Sequence, residues 1–108
     1  MKSVTIYSAV MVDGTAPLSL PEMAYLCEQH VDWVVSLVHE GLVAIECDAP
    51  PAETPSDLWV FASAAAARAR QIARTQRDFD VNLDAAALMV DLVEEVRQLR
   101  AQLEVYQR

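Results

Sequence analysis

Glycine, cysteine and lysine are scarce in this chain of 108 residues. Gly14 and Gly41 are the only glycines, which excludes a glycine-rich loop that could cradle a phosphate. Cys27 and Cys47 have no C-x-x-C spacing and no nearby histidine pair, so we expect both to be small core side chains rather than zinc ligands. No apolar run approaches the roughly 18 residues of a membrane span. We therefore expect a cytoplasmic protein with reduced thiols, no metal or cofactor, and no membrane partner.

The residue sets that carry catalysis are missing as well. His30 and His39 have no serine or cysteine nucleophile arranged beside them. No pair of carboxylates lies in an apolar setting, where a general acid and base would be tuned. The sequence therefore predicts a binding protein rather than an enzyme.

Basic residues are few and unevenly placed. The chain has 8 basic and 16 acidic residues, and Lys2 is the only basic residue before position 62. Residues 62–108 contain seven arginines and seven acids, so the excess of negative charge lies in the first half. Nucleic-acid binding depends on neutralising phosphates, which an acidic surface cannot do. The charge argues against a nucleic-acid partner and favours a basic protein partner.

Residues 20–43 predict two short helices joined by a tight turn. Ser19 and Glu22 form an S-x-x-E capping box, and Pro21 suits a first helical turn. Gly41 is placed to end the second helix in the left-handed conformation, so this helix should run over about residues 32–40. The apolar residues at helical spacing predict the buried sides, namely Leu20, Met23, Ala24 and Cys27, then Val34, Leu37 and Val38.

This block resembles the DNA-binding half of the MerR-like regulators. Residues 40–43, E-G-L-V, match the E-G-L-L exit of that family. Where those regulators carry T-L-R-Y-Y toward the duplex, residues 33–37 are W-V-V-S-L, and Glu28 stands where their turn has glycine. The resemblance implies a MerR-like winged helix-turn-helix without the arginine that meets DNA.

Strand-like segments flank the predicted helix pair. Residues 3–12 are β-branched and apolar and predict a leading strand. Residues 43–47 and 58–61 predict the two strands of a small β wing, separated by a non-helical loop with three prolines. A helix with strong intrinsic propensity is predicted from Ser63. Its inward side should consist of Ala65, Ala69, Ile72 and Gln76, with Phe79 packed at the end. The fold class is therefore mainly α, as one domain over residues 1–108, with a winged part at 1–61 and a helical part at 62–108.

The last helix carries a short coiled-coil pattern. Asn82 is placed as its N-cap. Apolar residues then recur at alternating spacings of four and three, which is typical of a helix that pairs with another helix. Homodimer contact through this seam and an intramolecular role as a lid both remain open. We call the predicted pairing residues the dimer seam: Met89, Leu92, Val96, Leu99, Leu103 and Tyr106.

The chain as a whole is similar to a divergent branch of the MerR-like fold, the chaperone-modulator (CbpM) family. The similarity is carried by E-G-L-V at 40–43, W-V-F at 59–61 after the proline-rich loop, and R-A-R-Q-I-A-R-T-Q-R-D at 68–78. The continuation D-F-D-V-N-L-D-A-A-A-L at 78–88 and L-R-A-Q-L at 99–103 complete it. The resemblance implies that the chain binds the J-domain of a DnaJ-like co-chaperone and inhibits it by blocking access to the Hsp70-type chaperone.

A surface for this partner can be placed on the second helix of the pair. J-domains present a basic helix to the chaperone, which an acidic protein could cover. Once the apolar side of the second helix is buried, four residues remain outside, which we call the docking face: Asp32, Val35, Ser36 and His39. We expect four carboxylates to surround it, which we call the acidic rim: Glu28, Glu40, Asp48 and Asp57. The alternative function is a MerR-like DNA-binding transcriptional regulator that uses Arg68, Arg70, Arg74 and Arg77.

Overall fold

The computed structural model describes residues 16–107, and the mainly α fold class is confirmed. Its elements in chain order are strand β1 (Leu18–Ser19), helices α1 (Leu20–Cys27) and α2 (Val31–His39), strand β2 (Val60–Phe61), and helices α3 (Ser63–Phe79) and α4 (Leu83–Gln107). The strand expected at 3–12 lies outside the described residues. The chain divides into two compact units, residues 1–70 and 71–108. The single domain over 1–108 stays a prediction.

The start of α1 is fixed by the capping box that the sequence predicts. The Ser19 backbone N–H donates to Glu22 Oε1 at 2.7 Å, and the Glu22 N–H donates to Ser19 Oγ at 3.3 Å. Two of the amides that a helix start leaves unpaired are thereby satisfied. The predicted inward residues of α1 and α2 are all buried, and the two helices pack against each other.

The small sheet shares one strand with the expected wing, since β2 is the last two residues of the strand predicted at 58–61. β1 pairs antiparallel with β2, with Leu18 opposite Phe61 and Ser19 opposite Val60. The expected strand over residues 43–47 is wrong. The amides of Leu42 and Val43 both donate to the Leu37 carbonyl as the chain leaves α2, at 2.8 and 3.4 Å. The bond from the Glu46 N–H to the Val60 carbonyl, 2.8 Å, is therefore an isolated contact with β2 rather than part of a strand.

The proline-rich segment is not entirely free of helix. It forms two single-turn 3₁₀ helices, Pro51–Glu53 and Ser56–Leu58. Proline fixes φ near the helical value and is accepted in a first turn, so the prolines exclude a long α-helix without excluding these short turns.

The first unit is built around a compact apolar core. The largest fully buried side chains in this unit are Phe61, Leu18, Met23, Leu37 and Val34. Trp59 is 3% exposed, and its ring meets the edge of Phe61 with centroids 6.4 Å apart. The strands, α1 and α2 thus pack around one core, and this packing determines which side of α2 is exposed.

Arg68 joins α3 to the exit of α2. Its Nε donates to the Leu42 carbonyl at 2.7 Å, across 26 positions of sequence. We expect Arg68→Met to lower the free energy of unfolding by about 1.5 to 3 kcal/mol, because a hydrogen bond from a charged group is lost while the apolar stem is kept. Urea unfolding measures this, with Arg77→Met at an exposed position of the same helix as control. Equal losses of stability in the two variants would show that the hydrogen bond from Arg68 to Leu42 does not stabilise the fold.

The inward side of α3 differs slightly from the expected one. Ala66, Ala69, Ile72 and Ala73 are buried, whereas Ala65 and Gln76 are half-buried. Phe79 is 61% exposed, so the prediction that it closes the helix is wrong. It lies on the same side as Ile72, but burial ends at Ala73, and the ring lies over an open groove in the second unit instead.

The last helix begins as predicted and remains largely uncovered. Asn82 Oδ1 accepts the Ala85 N–H at 2.8 Å, which confirms the N-cap. Ala86 and Ala87 are buried and Met89 is half-buried, but every residue from 91 to 107 is exposed. The other dimer-seam residues are roughly half exposed or more: Leu92 56%, Val96 46%, Leu99 54%, Leu103 56% and Tyr106 88%. No helix in the described part of the chain is both long and apolar enough to cross a membrane.

Candidate docking surface

The docking face lies on one side of α2, as the spacing predicts. Asp32, Ser36 and His39 are exposed and Val35 is half-buried, while Val34, Leu37 and Val38 on the other side are buried. The Ser36 hydroxyl donates to the Asp32 carbonyl at 3.0 Å and is thus occupied by its own helix. The face presents a carboxylate, a partly covered valine and an imidazole in a row along about two turns.

His30 caps the start of this helix, a role that sequence reasoning left unspecified. Its Nδ1 accepts the Asp32 N–H at 3.1 Å, and the Asp32 carboxylate lies 3.4 Å from the same nitrogen. The Asp32 side chain is 89% exposed and stays available to a partner.

Glu28 occupies a backbone conformation that favours glycine. Its φ is +56°, in the left-handed region, where it ends α1. Its N–H donates to the Tyr25 carbonyl at 3.1 Å, and the next amide donates to the Ala24 carbonyl at 3.0 Å. A non-glycine residue pays about 1 to 2 kcal/mol for this conformation. A strained residue with an exposed carboxylate in the turn that precedes α2 is a candidate for function rather than for folding.

The remaining acidic-rim residues follow α2 in the sequence, and Glu40 is the C-cap of that helix. Glu40, Asp48 and Asp57 are all exposed. Trp59 contacts both the last residue of α2 and the proline-rich segment. Its ring meets the His39 ring edge-on, with centroids 6.0 Å apart, and its Nε1–H donates to the Thr54 carbonyl at 2.9 Å. The end of α2 is thereby linked to the proline-rich segment that carries Asp57. Trp59 itself is buried and packs in the core.

The charged side chains of residues 16–61 are acidic. Residues 16–61 contain eight acids and neither lysine nor arginine. The Glu22 carboxylate is engaged in the capping box. The seven others are exposed: Glu28, Asp32, Glu40, Glu46, Asp48, Glu53 and Asp57. Such a surface attracts cationic partners and repels polyanions.

Comparison with known proteins shows which family the chain belongs to. Residues 18–108 match the family model described as MerR HTH family regulatory protein. The chaperone modulatory protein CbpM of Pseudomonas entomophila is 30% identical over 84 residues, which cover 75% of this chain and 77% of that protein. The chain belongs to the CbpM family. A CbpM of Pseudomonas putida is 31% identical with the same coverage, and one of Coxiella burnetii is 21% identical over 95% of this chain and 92% of its own length. No solved structure matches the chain.

The CbpM assignment confirms the resemblance drawn from the sequence, and the names of these relatives support a chaperone-modulating role. The family-model match begins at residue 18, where β1 starts, and extends through α4. The match therefore covers the helix-turn-helix, the small sheet and both later helices.

The two thiols of this CbpM-family chain differ in environment. Cys27 is 3% exposed, and burial raises the pKa of its thiol from 9.0 to about 11, an effect that the charge of Arg70 partly offsets. Cys47 is half-buried, with its Sγ 3.8 Å from the Leu58 carbonyl, so the expectation of a core side chain is wrong for it. Both cysteines are free. At neutral pH Cys47 is thus the more accessible thiol.

Proposed function

We propose that this protein modulates chaperone activity by binding the J-domain of a DnaJ-like co-chaperone, and inhibits it by blocking access to the Hsp70-type chaperone. The observation that carries the proposal is the set of seven exposed carboxylates, without lysine or arginine, over residues 16–61. J-domains present a basic helix to the chaperone, and opposite charge favours encounter and register. The family of the chain supports the same role.

The layout of the surface suits a small protein interface. The partly covered Val35 lies at the centre of the docking face and supplies an apolar contact. The acidic-rim carboxylates are exposed, and we expect them to surround this centre in water, where charges set partner choice more than affinity. Binding of this kind weakens only modestly as salt increases.

DNA binding is the alternative that the family description supports. It would depend on Arg68, Arg70, Arg74 and Arg77, but Arg68 already donates to the Leu42 carbonyl. The other three would have to bind phosphates in a chain whose residues 16–61 carry seven exposed carboxylates, and those carboxylates repel the phosphates. A DNA complex would also lose affinity steeply with salt, in proportion to the number of phosphates contacted.

The proposal is tested by the ATPase activity of the Hsp70-type chaperone in the presence of its co-chaperone. Added in increasing amounts, the protein should return the stimulated rate to the basal rate without changing the basal rate itself. Stimulation that persists while the J-domain is saturated would contradict the blocking mechanism. Retardation of duplex DNA at moderate salt would instead favour the regulator.

Glu28→Gly separates folding from function at the strained turn. We expect stability to stay equal or to rise by up to about 1 kcal/mol, because glycine accepts the left-handed conformation. Affinity for the J-domain should fall several-fold, because a rim carboxylate is lost. Asp80→Gly is the matched control, since Asp80 is also an exposed acid with positive φ, +50°, but lies in the second unit. Equal affinity in wild type and Glu28→Gly would remove Glu28 from the acidic rim.

We further propose that the dimer seam pairs two copies of the chain. The support is its alternating spacing of four and three along an exposed helix, with roughly half-exposed leucines and valine. Leu99→Gln with Leu103→Gln should give a folded monomer by sedimentation, whereas Val105→Gln, at an exposed position outside the seam, should leave a dimer. Loss of cooperative melting in the double variant would instead make the seam part of the core, and a monomeric wild type would reject the pairing.

A further inference from the structure

A shallow depression of about 470 Å³ lies beside the end of α2, within the first unit. Its wall is mostly apolar and includes Val38, Ile45, Ala49 and Pro50, together with the thiol-bearing Cys47. Asp48 is the one charged residue among those that line it. The depression therefore combines an apolar floor with a carboxylate at its edge.

The backbone around α2 explains why this space stays open. Gly41 turns the chain out of the helix at φ +73°, and an added Cβ there would meet nothing within 4 Å. Residues 43–47 form no strand that would fill the space, and Pro50 and Pro51 lead the chain into a 3₁₀ turn. The opening is therefore lined mainly by the irregular segment that follows α2.

We infer that this depression receives an apolar side chain from a basic segment of the J-domain. The inference rests on the proposed function and adds to the docking face a second contact, beside the end of α2, through which the protein selects its partner. Glu40 precedes Gly41, Glu46 lies between two lining residues, and Asp48 is itself at the edge, all with exposed side chains. An apolar side chain flanked by lysine or arginine fits this site. The apolar side chain leaves water on the apolar floor, and its basic neighbours contact the carboxylates. The same carboxylates repel nucleic acid and acidic peptides.

Cys47 reports directly on occupancy of the depression. Cys27 is buried with a raised thiol pKa of about 11, so iodoacetamide at neutral pH should modify Cys47 first. Saturating J-domain should slow alkylation of Cys47 by about tenfold or more, as identified by mass spectrometry of the modified peptide, since an occupied site excludes the reagent. Calorimetric binding with an unchanged alkylation rate would overturn the inference and leave the proposed function standing. Absence of calorimetric binding would overturn both.

A filled depression provides the second test. Ala49→Trp places a large side chain at an exposed lining position and should weaken J-domain binding on the order of tenfold, the loss expected when one buried anchor is excluded. Ala64→Trp, at an exposed position of α3, is the control and should bind within about twofold of wild type, as surface changes outside an interface do. Urea unfolding checks that both variants are folded. Wild-type affinity in folded Ala49→Trp would overturn the inference, and if that variant fails to fold, the alkylation result decides.

Discussion

Asp32→Lys combined with Glu40→Lys is expected to lower affinity for the J-domain on the order of a hundredfold at low salt, because two favourable contacts with a basic surface become repulsive. Both side chains are exposed, so the fold should be retained. Asp32 also lies in the first turn of α2, where a positive charge opposes the helix dipole and costs up to about 1 kcal/mol. Isothermal titration calorimetry measures the affinity, and circular dichroism checks the fold.

The control for this charge reversal is Asp78→Lys with Glu95→Lys. It changes net charge by the same amount at two exposed acids of the second unit. We expect its affinity to lie within a few-fold of wild type, since only long-range attraction is reduced. If both double variants lose affinity equally, net charge rather than the docking face governs binding.

Phe61→Ala is expected to lower the free energy of unfolding by about 3 to 5 kcal/mol, the usual cost of removing a buried phenylalanine. Phe61 is fully buried, lies opposite Leu18 in the sheet and contacts the edge of Trp59. Domains of this size are stable by only about 5 to 15 kcal/mol, so the variant should be near its unfolding threshold. Chemical unfolding followed by circular dichroism measures the loss.

Phe79→Ala makes the same chemical change at a position that is 61% exposed. We expect it to cost less than about 1 kcal/mol, because little apolar surface returns to water. A cost comparable to that of Phe61→Ala would mean that Phe79 closes α3 after all, as the helical spacing alone predicts.

Local chemistry made the first helices predictable. The capping box depends only on Ser19 and Glu22, three positions apart, so the sequence contains all that is needed to place the start of α1. The buried sides of α1 and α2 follow from helical spacing, and Asn82 caps α4 by bonding three positions onward. The docking face could be predicted for the same reason, since it is the side of α2 opposite the buried residues.

Partner choice between distant segments was not predictable from local pattern. Residues 43–47 and 58–61 both have strand-like composition, and their nearness in sequence suggests a hairpin. The chain instead pairs β2 with β1, more than forty positions away, because Leu18 and Phe61 are both drawn into the core. The amides of Leu42 and Val43 are then used by the α2 exit, which leaves Glu46 with a single bond to Val60.

The docking surface was predictable in composition but not in detail. Exposure of the acidic rim follows from charge alone. The positive φ of Glu28 is hinted at only by the glycine that MerR-like regulators carry there. The hydrogen bond from Arg68 to Leu42 has no sequence signal, since any of the arginines near the start of α3 could reach outward. The depression near Cys47 was not predicted either, because several of its lining residues lie on a segment that was expected to be a strand.

Binding of a J-domain to the acidic surface around α2 can be measured by one calorimetric titration. The intact protein is titrated with the isolated J-domain of the co-chaperone from the same organism, at low and at moderate salt. We predict one J-domain per chain, micromolar or tighter affinity, and a modest loss as salt increases. No heat at either salt concentration would contradict the proposed function and make duplex DNA the next ligand to test.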